Sequence, residues 1–101
     1  MKKIVAGLIL SAAAAAAFTS VSAQSKPFTV VETSIPEMQK AMKDGRVTSR
    51  QLVEQYLQRI GLYNSQINAV ITVNPKALEE ADRLDRERKA GKIRGPLHGI
   101  P

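Results

Sequence analysis

Cysteine is absent from this 101-residue chain. That removes disulfides, a lipid-modified cysteine, thiolate nucleophiles and sulfur metal ligands in one step. A single histidine, His98, rules out a multi-histidine metal site, and no thiol or carboxylate pair stands beside it to complete a zinc or iron shell. Aromatics are scarce, with Tyr56, Tyr63 and Phe28 as the available stacking surface, and one-signed basic runs are missing too. Bases alternate with acids, as in Asp82-Arg83-Leu84-Asp85-Arg86-Glu87-Arg88-Lys89, so a solvated face explains them and no nucleic-acid partner is expected. The longest apolar run, Ile4 to Phe18, covers 15 residues, short of the roughly 20 that a bilayer span requires.

That run has a different reading. Met1-Lys2-Lys3 is a short basic start, the Ile4 to Phe18 stretch is an apolar middle, and Val21-Ser22-Ala23 offers small residues to a peptidase, which together describe a secretory signal over residues 1–23. A retained membrane anchor competes with it, but the alanine-rich second half of the run is weakly hydrophobic. The expectation is therefore an exported protein, periplasmic or extracellular, with no membrane association after cleavage. Cleavage removes two of the 15 basic side chains and none of the 9 acidic ones, leaving a mild formal charge of +4. A mature chain this short, without disulfides, needs a compact core or a larger body to lean on.

Residues 24–33 read as a flexible lead-in. Ser34-Ile35-Pro36-Glu37 has the form of a capping box and predicts a first helix, with Ile35, Met38, Ala41 and Met42 at helical spacing and Asp44-Gly45 as a left-handed exit. Thr48-Ser49-Arg50-Gln51 repeats the start signal, and Leu52, Val53, Tyr56, Leu57 and Ile60 then fall on one stripe. Gly61 through Ser65 is expected to break that helix. The β-branched stretch Ile67-Asn68-Ala69-Val70-Ile71-Thr72-Val73 predicts a strand, and Asn74-Pro75 a third helix that Gly91 ends. Ala77, Leu78, Ala81 and Leu84 give that helix a thin apolar side, and Glu79–Arg83, Asp82–Arg86 and Asp85–Lys89 are expected as i,i+4 ion pairs.

Chemistry is hard to find in these elements. No Gly-x-Ser-x-Gly elbow occurs, and Ser34, Ser49 and Ser65 sit where helix starts or a turn would use their hydroxyls. His98, between Leu97 and Gly99, lacks a sequence neighbour that would orient it as a general base and is read as a loop hydrogen-bonder. Gly91-Lys92 and Gly95 do not have the spacing of a phosphate loop, and Ile93 stands where a metal-binding Ser or Thr would be needed. Catalytic, cofactor-binding and metal-ligating residues are accordingly expected to be none.

The strongest signal is the run Arg94-Gly95-Pro96-Leu97-His98-Gly99-Ile100-Pro101. It resembles the segment that opens the core sheet of amidase-signature enzymes. The succession of Thr48 to Val53, Tyr56 to Ile60, Ile67 to Ile71, Asn74-Pro75, Ala77-Leu78, Ala81 and Leu84-Asp85 resembles their amino-terminal helices and first strand. Leu84-Asp85-Arg86-Glu87-Arg88, together with the leader, is most similar to exported bacterial amidases of the peptide-amidase kind. The resemblance implies an α/β fold, a mixed sheet flanked by helices, of which residues 34–101 would be the mainly helical amino-terminal part. It implies hydrolysis of the carboxamide C–N bond of a small amide or peptide amide, without cofactor, by a serine, a second serine in a cis peptide and a lysine base. All three would lie beyond Pro101, so residues 24–101 are expected to be inactive alone. Lys89 and Lys92 do not replace that lysine, because helix-end ammonium groups stay solvated.

Two other classes fit parts of the sequence. A small secreted helical binding module would use the Leu52 to Ile60 stripe to receive a partner helix. A tRNA-dependent amidotransferase component of the same superfamily would share the helices but work in the cytoplasm, which the leader argues against.

Overall fold

A computed structural model of the chain describes residues 26–101, and the leader expected over residues 1–23 lies outside the described residues. Three α-helices follow one another: α1 Ile35–Lys43, α2 Ser49–Ile67 and α3 Ala77–Lys89. Among the described residues none of these helices is long and apolar enough to cross a membrane.

Helix α1 begins as its sequence predicts. The Ser34 amide and hydroxyl both donate to Glu37 Oε2, each at 2.7 Å, and that hydrogen bonding holds the Glu37 carboxyl below its ordinary pKa. The helix ends in a Schellman motif: Gly45 at φ +71° donates its amide to Met42 O at 3.2 Å, and Arg46 N donates to Ala41 O at 2.9 Å. Helix α3 stops by the same device, with Gly91 at φ +75° bonded to Arg88 O and Lys92 N bonded to Glu87 O.

Helix α2 opens on a reciprocal box, Gln51 N to Thr48 Oγ1 at 3.1 Å and Thr48 N to Gln51 Oε1 at 2.9 Å. It then corrects two expectations. The helix continues through Gly61 and Ser65 to Ile67, since a single interior glycine costs only about 1 kcal/mol against alanine and no proline interrupts the ladder. It ends instead at Asn68, which takes a left-handed φ of 48° and donates its amide to Asn64 O at 2.8 Å.

The strand expected over Ile67–Val73 is also absent, and the described residues contain no strand at all. Asn64 intercepts the backbone first, donating Nδ2 to Val70 O at 3.0 Å and accepting Val70 N at 2.8 Å. Beyond Val70, β-branched residues favour extended backbone but need a neighbouring strand to become a ladder, and no partner among the described residues takes the amides of Ile71, Thr72 or Val73. The described residues thus supply the helical part of the expected α/β fold and none of its sheet.

Two faces of α2 are used differently. On one, Leu52, fully buried, meets Met38, Ala41 and Met42 of α1 together with Val30 and Val47, and Phe28, Tyr56 and Ile100 pack at the margin. Burying Leu52 alone contributes about 1.5–3 kcal/mol. The lead-in joins this core through Gln55, whose amide spans Phe28 O and Val30 N, both at 3.0 Å. The other face of α2 packs against α3, where Val53 and Ala81 are buried.

Candidate functional site

Between α2 and α3 the packing opens into an apolar groove of about 550 Å³. Val53, Tyr56, Leu57 and Ile60 form one wall, Ala77, Ala81 and Leu84 the other, and Val70, Val73 and Ile100 close its margins. The spacing on both helices explains this: three- and four-residue steps bring those apolar side chains onto facing stripes, while the small Ala77 and Ala81 leave space that a Leu would fill. The predicted Leu52 to Ile60 stripe therefore divides, with Leu52 in the closed core and Val53 to Ile60 lining the groove.

The polar residues beside the groove tie elements together. Asp85 reaches from α3 to the first turn of α2, accepting Ser49 N at 2.8 Å and Arg50 N at 3.0 Å, so a carboxylate sits at the positive end of that helix. Arg50 donates to Asp82 at 2.5 Å and to Glu54 at 2.9 Å, and these carboxylates raise the guanidinium's pKa, Glu54 most. Glu87 pairs with Arg94, whose hydrogen bond holds the Glu87 carboxyl below its ordinary value and raises the Arg94 guanidinium. The i,i+4 pairs expected along α3 are not among the ion pairs of the described residues; Asp82, Asp85 and Glu87 instead bond groups outside α3. Spacing alone could not reveal this, because the same residues satisfy both geometries.

His98 is buried, with Nδ1 accepting the Arg94 amide at 3.1 Å and Nε2 facing Leu84 O at 2.8 Å. A backbone amide on one nitrogen and a carbonyl on the other require the neutral tautomer that carries its proton on Nε2. Both nitrogens are thereby occupied, as the loop-bonding reading expected. Ser49 is also buried and lies inside the first turn of α2, its Oγ donating to Gly99 O at 2.7 Å. Ser34 serves the α1 cap, and Ser65 sits within α2 rather than in the turn expected for it. Lys89 and Lys92 are exposed. No grouping of three or more His, Cys, Asp or Glu among the described residues is arranged to hold a metal ion.

Several of these roles have no counterpart in the sequence pattern. Gln39, Gln55 and Asn64 each bond distant or turned backbone, and a lone amide side chain carries no periodic signal that could announce it.

Comparison with known proteins supplies a context for the groove. The family model described as Amidase matches residues 51–101. The chain is 42% identical over 73 residues to a Schizosaccharomyces pombe protein named as an amidase, covering 72% of this chain and 12% of that protein. It is 38% identical over 69 residues to a glutamyl-tRNA(Gln) amidotransferase polypeptide of Synechococcus sp., covering 67% of this chain and 14% of the relative. Native peptide amidase from Stenotrophomonas maltophilia superposes with a TM-score of 0.68 at 46% identity, over 69% of this chain and 15% of that one. A peptide amidase has also been solved in complex with the competitive inhibitor chymostatin. The chain spans between 12% and 15% of the length of these relatives.

Proposed function

Because this chain belongs to the amidase family, we propose that residues 34–101 form the amino-terminal helical layer of an exported enzyme that hydrolyses carboxamide C–N bonds. In this reading the layer rests on an α/β body with a mixed sheet, and the apolar groove between α2 and α3 is the face it presents to that body. The nucleophilic serine, the serine of a cis peptide and the lysine base belong to the body, so residues 24–101 do not turn over substrate by themselves. The single observation that carries the reading is the match of this helical segment to a peptide amidase. It favours an amide at a peptide terminus, or a small amide, as substrate. The basic start, apolar middle and small residues of positions 1–23 support export.

The physical logic is one of exposure. Leu62 and Ile67 are each 65% exposed and Ile71 fully so, which is apolar surface that a protein ordinarily covers. The test is ammonia release from a carboxyl-terminally amidated dipeptide by the full-length gene product and, separately, by purified residues 24–101. Release by the former and none by the latter is expected. Turnover by residues 24–101 alone would overturn the reading. The similarity to glutamyl-tRNA(Gln) amidotransferase polypeptides supports a second reading, amide transfer onto a charged tRNA, which an inert peptide-amide assay and a cytoplasmic location of the gene product would favour.

A further inference from the structure

Three side chains from three different helices converge on consecutive parts of one loop. Gln39 of α1 donates Nε2 to Pro96 O, Ser49 of α2 donates Oγ to Gly99 O at 2.7 Å, and Arg88 of α3 donates Nη2 to His98 O at 2.9 Å. From within the loop, the His98 ring fastens the Arg94 amide to Leu84 O. Gly99 has φ +78°, and a Cβ there would meet Ser49 Cβ at 3.2 Å and Met42 Sδ at 3.4 Å. At Gly99 the loop therefore lies close against α1 and α2, and Ile100 and Pro101 stand at the margin of the apolar groove.

We infer that Gln39, Ser49 and Arg88 form a clamp that sets the direction in which the polypeptide leaves Pro101 toward the body covering the groove, making them positioning residues for the amidase reaction. The inference rests on the amidase reading. Its physical basis is that each carbonyl is fixed by a donor on a separate rigid helix, so the loop cannot rotate about one attachment while keeping the others. Each group donates its hydrogen bond to a backbone carbonyl of the loop. A misplacement of about 1 Å at a remote support can lower turnover by about a hundredfold while binding is retained.

The experiment uses the full-length gene product and its Ser49→Ala, Arg88→Ala and Arg88→Lys variants, each checked for an intact cooperative thermal transition. Two readouts are taken: kcat and KM for an amidated dipeptide, and hydrogen exchange at the His98 and Ile100 amides, which close turns onto Gly95 O and Leu97 O. Ser49→Ala and Arg88→Ala should lower kcat about tenfold or more with KM within about twofold, and should speed exchange at both amides. Arg88→Lys, which keeps a donor, should recover most of kcat. Unchanged exchange, or faster exchange with unchanged kcat, overturns the inference. If the unaltered product is inert toward amides, the amidase reading is what fails, and the exchange measurement alone then decides whether the clamp holds the loop.

Discussion

The two sides of α2 make a sharp contrast. Toward α1 the helix closes on Val30, Met38, Ala41, Met42 and Val47 with Leu52 fully enclosed, and a glutamine side chain fastens the preceding segment over them. Toward its carboxyl end the same helix leaves Leu62, Tyr63 and Ile67 exposed, and Ile71 and Val73 of the segment that follows are exposed too. Composition does not distinguish the halves, since both are rich in aliphatic residues. Partners do: the first half packs on α1, Val30 and Val47, whereas the second, in the proposed reading, is shaped for the catalytic body.

Substitutions can break that contrast, and the largest effect is expected in the closed half. Leu52→Ala in the full-length gene product should cost about 2–5 kcal/mol, read from the urea midpoint, because the cavity is walled by side chains of two helices that cannot collapse into it. A loss below about 1 kcal/mol would mean that the core is not closed. Gly99→Ala comes next, at about 1–2 kcal/mol from its left-handed φ, with crowding against Ser49 and Met42 adding to it. Thermal denaturation checks this, and an unchanged transition would show that the loop is free to shift. Asp85→Asn keeps the shape but removes the charge and one of two acceptors at the start of α2, for an expected loss of about 1 kcal/mol by the same measurement. The smallest change belongs to the open half: in residues 24–101, Ile71→Ser should alter stability by less than about 0.5 kcal/mol, because a fully exposed side chain gives up no packing.

Surface carboxylates make stability depend on pH. Glu37 is held below its ordinary pKa by Ser34, and Glu87 by Arg94. Both are depressed in the folded state, so each contributes stability above the ordinary glutamate range and loses it as pH falls through the lower folded value. Carboxyl-carbon NMR titration should place both midpoints below that of a free glutamate. A Glu87 midpoint at or above the ordinary value would mean that the Arg94 pair does not persist in solution.

How much of this can be read from sequence depends on whether the information is local. The caps at Ser34 and Thr48 and the exits at Gly45 and Gly91 are legible, because a hydroxyl three residues before Glu or Gln, or a glycine after an apolar stripe, states its own hydrogen bonding. The family is legible for a different reason, the specific order of residues from Arg94 to Pro101. The stretch Ile67–Val73 misleads because β-branched residues report a preference that only a partner strand can satisfy. Gly61 misleads because a glycine weakens a helix without ending it. Asp85, Gln39 and Arg88 are illegible as ties between elements, since each acts over ten or more residues of chain, through contacts that exist only after the helices pack.

In the proposed reading the rest of an amidase completes the open half of this layer. Hydrogen exchange at the amides of Ile71, Thr72 and Val73, compared between residues 24–101 and the full-length gene product, tests it most directly. Exchange at unprotected rates in the short chain and about a hundredfold slower or more in the long one is the predicted result. Equal rates in both would contradict the account, since the segment would then find no partner in the longer protein.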